Sequence, residues 1–113
     1  MSAAISSIHD EPAHDWTVEE LGQRAAMSRS TFALRFKETV GASLIEYLTR
    51  WRMLLAADRL ANTRDSISEI AHSLGYESAS AFTKVFKKIM SCSPRQYSRG
   101  QNSVSPGEIR EDK

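Results

Sequence analysis

The chain has 113 residues, 41% of them hydrophobic, 8% aromatic and 26% charged, with a formal net charge of +1; this is one small globular domain's worth of sequence. No run approaches the roughly 18 apolar residues of a membrane span, and the start MSAAISSIHDEP has neither the basic nor the apolar region of a signal peptide. A single cysteine, Cys92, and three histidines, His9, His14 and His72, without metal-ligand spacing exclude an internal disulfide and a multi-cysteine zinc site. The expectation is therefore a soluble cytoplasmic protein with no cofactor, held together by its apolar core alone, and small size favours helical packing with local contacts.

In chain order, Ala4, Ile5 and Ile8 form a short helical stripe ended by Pro12, whose expected role is to cover the core of the first helix-turn-helix unit. Thr17 followed by Glu20 is a capping box, in which each side chain satisfies the other's free backbone N–H, so a helix is predicted from about Val18. A helix at about 29 to 38 then carries Phe32, Phe36 and Val40 as an apolar stripe. From Leu44 to Asn62 there is no breaker, and Leu44, Leu48, Trp51 and Leu55 follow i, i+4, i+7, i+11. As one helix this stretch is about 28 Å long at about 1.5 Å per residue, comparable to the roughly 34 Å of a DNA turn. Ser66 and Glu69 repeat the capping box at the head of SISEIAHSLGY, where Ile67, Ile70, Ala71 and Leu74 share a face and Gly75 stops the helix. A helix at about 79 to 89 places Phe82, Phe86 and Ile89 in the core. After Arg99, GQNSVSPGEIREDK has few large apolar residues and reads as a disordered tail.

β-type alternation is absent, and Gly and Pro sit only at element edges. The predicted fold is all-α, with about seven helices. Within it an internal repeat controls the architecture. Thr17, Val18, Glu20, Leu21 and Met27 recur as Ser66, Ile67, Glu69, Ile70 and Tyr76 at a shift of 49. Ser28, Ser30, Phe32, Phe36, Lys37, Ser43 and Tyr47 recur as Ser78, Ser80, Phe82, Phe86, Lys87, Ser93 and Tyr97 at a shift of 50, with one extra residue near Glu77. Each copy is a helix, a tight turn and a second helix with Phe at i and i+4, the helix-turn-helix pattern. The predicted organisation is an N-terminal helix with the first helix-turn-helix subdomain over 1–42, a long linker helix over 43–62, a second helix-turn-helix subdomain over 63–99, and the tail over 100–113.

Charge is distributed unevenly. Asp10, Glu11, Asp15, Glu19 and Glu20 all precede the first base, Arg24. Lys84, Lys87, Lys88, Arg95 and Arg99 then fall in a stretch without acids, and Arg29, Arg35, Lys37, Arg50 and Arg52 form another basic set. Two basic islands point to a polyanion, although a charge run alone is more often a solvated helix face.

The second copy closely resembles the signature of the AraC/XylS family of bacterial transcription regulators. It has Ile67, Ile70 and Ala71 in an I-x-x-I-A helix, Gly75 and Tyr76 in the turn, Ser78, Phe82, Phe86 and Lys87 in an S-x-x-x-F-x-x-x-F-K helix, and Ser93, Pro94 and Tyr97 in a terminal S-P-x-x-[YF]. LGQRAAMSRSTFALRFKETVGAS looks like the family's first helix-turn-helix, so the resemblance covers about residues 3 to 99, including Tyr47 and Arg52 of the connecting helix. It implies sequence-specific binding of double-stranded DNA for transcription regulation, with helices at about 29–38 and 79–89 entering successive major-groove segments of an asymmetric bipartite site. It also implies bacterial nucleoid association, contact with RNA polymerase and, in many relatives, a preceding ligand-sensing or dimerising domain.

On these helices the residues outside the apolar stripes are the candidates for bases: Arg29, Ser30, Ala33 and Leu34 on the first, and Ser78, Ala79, Ser80, Thr83 and Lys84 on the second. Arg29 can pair bidentately with guanine and Lys84 can donate to guanine acceptors, whereas Ser30, Ser80 and Thr83 discriminate less; Ala33, Leu34 and Ala79 suit thymine methyls. Because relatives often carry longer polar or basic residues where Ala33 and Leu34 stand, shape or water is expected to contribute to readout by the first helix. Arg29 reads equally well as a phosphate contact or a solvated residue. Lys37, Lys87, Lys88 and Arg95 are assigned to phosphate. Thr17 and Ser66 mark helix N-termini able to bind phosphate, though capping alone explains them.

Two positions depart from the family pattern: Ser91 stands where Gly usually precedes S-P, and Ser98 where an Arg commonly follows the aromatic. The internal repeat and the lack of a heptad zipper predict a monomeric domain without membrane association. Two other functions compete. Some DNA-repair methyltransferases carry a similar segment beside a reactive cysteine, but Cys92 has no His or second Cys near it in sequence. A protein-contact module would use Trp16, Trp51 and Met53 as an exposed patch, although aromatic residues at helical spacing are more often core.

Overall fold

The computed structural model describes residues 1–100, and among these it has seven helices and no strand. The expected tail beyond Gly100 lies outside the described residues. The helices are α1 (Ser2–Asp10), α2 (Val18–Arg24), α3 (Arg29–Val40), α4 (Leu44–Asn62), α5 (Ile67–Ser73), α6 (Ala79–Met90) and α7 (Pro94–Ser98). Two compact units divide within α4, one ending at Arg52 and the other starting at Met53.

In the first unit, Ala4 and Ile8 of α1 bury against Leu21, Phe32, Phe36, Leu44 and Leu48, so the N-terminal helix does cover the core as its stripe predicts. Each fully buried Phe contributes about 1.5–3 kcal/mol relative to exposure. Trp16 lies in this core and donates its Nε1–H to the Glu11 carbonyl at 2.9 Å. The Thr17 box is only half formed. Thr17 accepts from the Glu20 N–H at 3.1 Å, but the Glu20 carboxylate has turned away to accept from His14 Nε2 at 2.9 Å. Arg52, grouped by sequence with the basic island, is 8% exposed: its Nε–H donates to the Pro12 carbonyl at 2.7 Å and its Nη2 to the His14 carbonyl at 3.1 Å. It fastens the segment between α1 and α2 to α4.

In the second unit, the last part of α4 supplies Met53, Ala56, Ala57 and Leu60 to a core with Ile70, Ala71, Leu74, Phe82 and Phe86. The single stripe ending at Leu55 is therefore incomplete as a description of α4, because the buried positions include Arg52, Met53, Ala56 and Ala57 and run on to Leu60, while Trp51 and Leu55 are only half-buried. Met53 and Trp16, buried in their cores, form no exposed patch. Ile89 is not core but 38% exposed, and Met90 packs inward instead. The repeat explains this, since Met90 is the equivalent of Val40 at a shift of 50. Ser66 and Glu69 form the full reciprocal box, as do Ser93 and Gln96 at α7. Ser43 and Glu46 do the same at α4, and the Ser43 backbone N–H holds the Glu46 carboxyl below its ordinary pKa.

Each unit makes a left-handed turn after the first helix of its helix-turn-helix and another after the second. In the first unit these fall on Ala26 (φ +57°) and Gly41 (φ +85°), and in the second on Gly75 (φ +93°) and Ser91 (φ +65°). Gly takes this conformation without the Cβ strain that Ser91 bears. Ser91→Gly is accordingly expected to stabilise the second unit by about 0.5–1 kcal/mol, read as a raised urea midpoint; an unchanged or lower midpoint would refute it.

Candidate nucleic-acid interface

The second helix of each helix-turn-helix, α3 and α6, is oriented by the same device. On α3, Phe32 and Phe36 are buried with ring centroids 5.7 Å apart, and Phe36 meets Tyr47 edge-on at 5.8 Å. On α6, Phe82 and Phe86 lie 5.6 Å apart, and Phe86 meets Tyr97 edge-on at 5.7 Å. Two large rings per helix anchor one side in apolar core, so the opposite side is held outward at a fixed rotation. Serine caps start both helices: Ser28 Oγ accepts from the Thr31 N–H at 3.2 Å, and Ser78 Oγ accepts from the Ala81 N–H at 3.1 Å. Ser78, a candidate for base contact, thus has one lone pair of its oxygen engaged by the backbone and keeps its hydroxyl proton and a second lone pair.

On α3 the outward residues Arg29, Ser30, Ala33, Leu34 and Lys37 are all exposed. Leu34 stands out, an apolar side chain 60% exposed. Arg29 reaches toward α2, where its Nη1 lies 3.9 Å from Glu19 Oε2, with both side chains well exposed. A pair of this kind is weak and yields readily to a phosphate or a base. Nothing in the sequence signals it, because it depends on how α2 packs on α3.

On α6, Ser80, Lys84, Lys87 and Lys88 are exposed, while Ala79 and Thr83 are half-buried. Arg95 is exposed on α7. The outward surface of α6 therefore carries three lysines, and that of α3 has Arg29 and Lys37 around an apolar centre. The N-terminus of α5 is already occupied, since the Glu69 carboxylate accepts from the Ser66 N–H at 2.8 Å. A carboxylate there opposes phosphate binding.

The remaining reactive side chains are accounted for structurally. Cys92 is half-buried, and burial pushes its thiol pKa up, the reverse of an activated thiolate. His9 stacks on Trp51 at 4.1 Å between centroids and shares a 2.7 Å hydrogen bond with the Tyr47 hydroxyl; His72 shares one of 3.1 Å with the Glu77 carbonyl. Among the described residues no group of His, Cys, Asp or Glu is placed to hold a metal ion, and no helix is long and apolar enough to cross a membrane.

A family model described as a helix-turn-helix domain matches residues 21–100. Relatives include an AraC-like transcription regulator of Streptomyces antibioticus, 47% identical over 97 residues that make up 86% of this chain and 32% of the relative. The HTH-type transcriptional regulator AlkR of Acinetobacter baylyi is 38% identical, again over 86% of this chain and 32% of the relative. The chain thus spans about a third of the length of these relatives. Among solved structures, the DNA-binding domain of the global transcriptional factor AdpA, in complex with a target DNA, superposes with a TM-score of 0.82 at 28% identity, over 93% of this chain and 95% of that one. An AraC-type regulator from Chromobacterium violaceum shares the fold, with a TM-score of 0.81 at 19% identity over 92% and 93% of the two chains. The two relatives are named as transcription regulators, and the AdpA structure is of a DNA-binding domain.

Proposed function

The chain belongs to the AraC/XylS family of helix-turn-helix transcription regulators and is a DNA-binding domain of that kind; from this premise we propose that it binds an asymmetric double-stranded site of two elements, with α3 and α6 in successive major-groove segments. The observation that supports this is the repetition itself. Equivalent Phe pairs bury the same side of both helices, leaving Arg29, Ser30, Ala33 and Leu34 outward on one, and Ser80 and Lys84 with the edge residues Ser78, Ala79 and Thr83 on the other. Lys37, Lys87, Lys88 and Arg95 lie near these residues in sequence and take phosphates, which fix position without reading sequence.

Selection from a randomised duplex library, with sequencing of the bound DNA, tests the proposal. The expected product is a motif with two short elements about ten base pairs apart. Arg29→Ala and Lys84→Ala are each expected to cost about 1–3 kcal/mol and to relax preference at particular bases, in different elements. No enrichment and no binding at low salt would reject the proposal, and one element only would reject its bipartite form.

The curated relatives are about three times as long as this chain, and a preceding sensing segment, contact with RNA polymerase and a place on the bacterial nucleoid belong to the same proposal. The domain alone is expected to be a monomer, because its two DNA-facing helices come from one internal repeat. Sedimentation at micromolar concentration checks this, and a stable dimer would refute it.

A further inference from the structure

Leu34 stands where the repeat puts Lys84, at a shift of 50, and Ala33 stands where it puts Thr83. At about 100° per residue, position 34 lies on the side of α3 opposite Phe32 and Phe36. The two helices therefore present different chemistry from the same place. On α6 it is an ammonium able to donate to guanine. On α3 it is a leucine 60% exposed beside an exposed alanine, neither able to donate or accept a hydrogen bond. The apolar character continues sideways, because Ala33 borders an apolar hollow of about 200 Å³ that reaches Val18, Lys37 and the exposed Ile45. In the major groove one feature of a base pair is apolar, the methyl group on pyrimidine C5, which thymine carries and cytosine lacks unless methylated.

Resting on the DNA-binding proposal above, we propose that α3 recognises pyrimidine C5-methyl groups through Leu34 and Ala33, so that the part of the element these two residues meet is defined by where methyls stand rather than by hydrogen-bond donors and acceptors. Arg29 at the head of the helix reads its own base, Lys37 toward the end supplies orientation, and Leu34 supplies selectivity for the methyl.

The test uses the chain with the duplex it selects, and compares thymine with deoxyuridine, which differ only by that methyl. Replacing the thymine that Leu34 meets is expected to weaken binding about 3- to 5-fold, the effect of one buried methyl. The same replacement in the element assigned to α6 by Lys84→Ala is expected to have little effect. A second arm sets cytosine against 5-methylcytosine at the same position. A gain there of similar size shows that the methyl is read whichever base carries it, and a loss with deoxyuridine but no such gain identifies thymine as its source. Leu34→Ala, at an exposed position, should fold normally and abolish the uracil effect, while Leu34→Lys should shift preference toward guanine.

Equal affinity for thymine and uracil duplexes, or a uracil effect that survives Leu34→Ala, overturns the inference while leaving DNA binding intact. The first outcome would assign the exposed leucine to contact with another protein. Absence of binding to any duplex would instead defeat the DNA-binding proposal on which the inference rests.

Discussion

Phe86→Ala is expected to destabilise the chain by about 3–5 kcal/mol, the usual cost of emptying a fully buried Phe site. Phe86 is 0% exposed and packs against Phe82 and Tyr97 with centroids 5.6 and 5.7 Å away, so its removal empties a site at the centre of the second core. A domain of this size has only about 5–15 kcal/mol in total, and each kcal/mol is worth roughly 4–8 °C of melting temperature. The midpoint should therefore drop by at least about 12 °C, and DNA affinity should fall with it, since the same ring holds the outward side of α6 in place. Ile89→Ala, at a position 38% exposed, is the control and should shift the midpoint far less. Thermal and urea melts followed by circular dichroism measure both. A Phe86 effect no larger than that of Ile89 would mean that α6 is not anchored by its aromatic pair.

Salt should act on binding just as strongly. Six cations sit on or beside the two outward helices: Arg29, Lys37, Lys84, Lys87, Lys88 and Arg95, all exposed. With Arg29 and Lys84 on bases, the other four neutralise one phosphate each, and counterion release gives a log–log slope of affinity against salt near −3.6, about a 150-fold loss between 50 and 200 mM. Lys87→Ala should make that slope shallower by about one unit with little change in sequence preference. Filter binding or fluorescence anisotropy at four or more salt concentrations gives the slope. A value near −2 would mean that most of these cations never meet the backbone, and an altered preference with Lys87→Ala would mean that α6 turns a different side to the groove.

Much of the fold is legible because it is written twice. The Phe pairs, the serine caps and the equivalent Tyr47 and Tyr97 recur at fixed shifts, and α4 runs over the residues its unbroken stretch predicts. What escapes the sequence depends on partners distant along the chain. Arg52 reads as one of a basic set until the Pro12 and His14 carbonyls are seen to accept its N–H hydrogen bonds. Glu20 reads as half of a box until His14 claims its carboxylate. Ile89 reads as core because a period of three to four residues fits it nearly as well as Met90, and only comparison with Val40 separates the two. The left-handed turn at Ala26 has no local signal at all, since alanine is the residue of helices and not of positive φ. At the interface, the outward residues follow directly from the Phe stripes, whereas the Arg29 and Glu19 pairing requires the packing of α2 on α3.

The mismatched turns lead to one more consequence. Where the first unit has Ala26 the second has Gly75, and where the second has Ser91 the first has Gly41. Each copy departs from the conformationally preferred residue once, at the place where its sibling keeps it. A gene that carries two drafts of one motif holds its own template for correction, and an engineer needs no other sequence to find the substitutions that reconcile them.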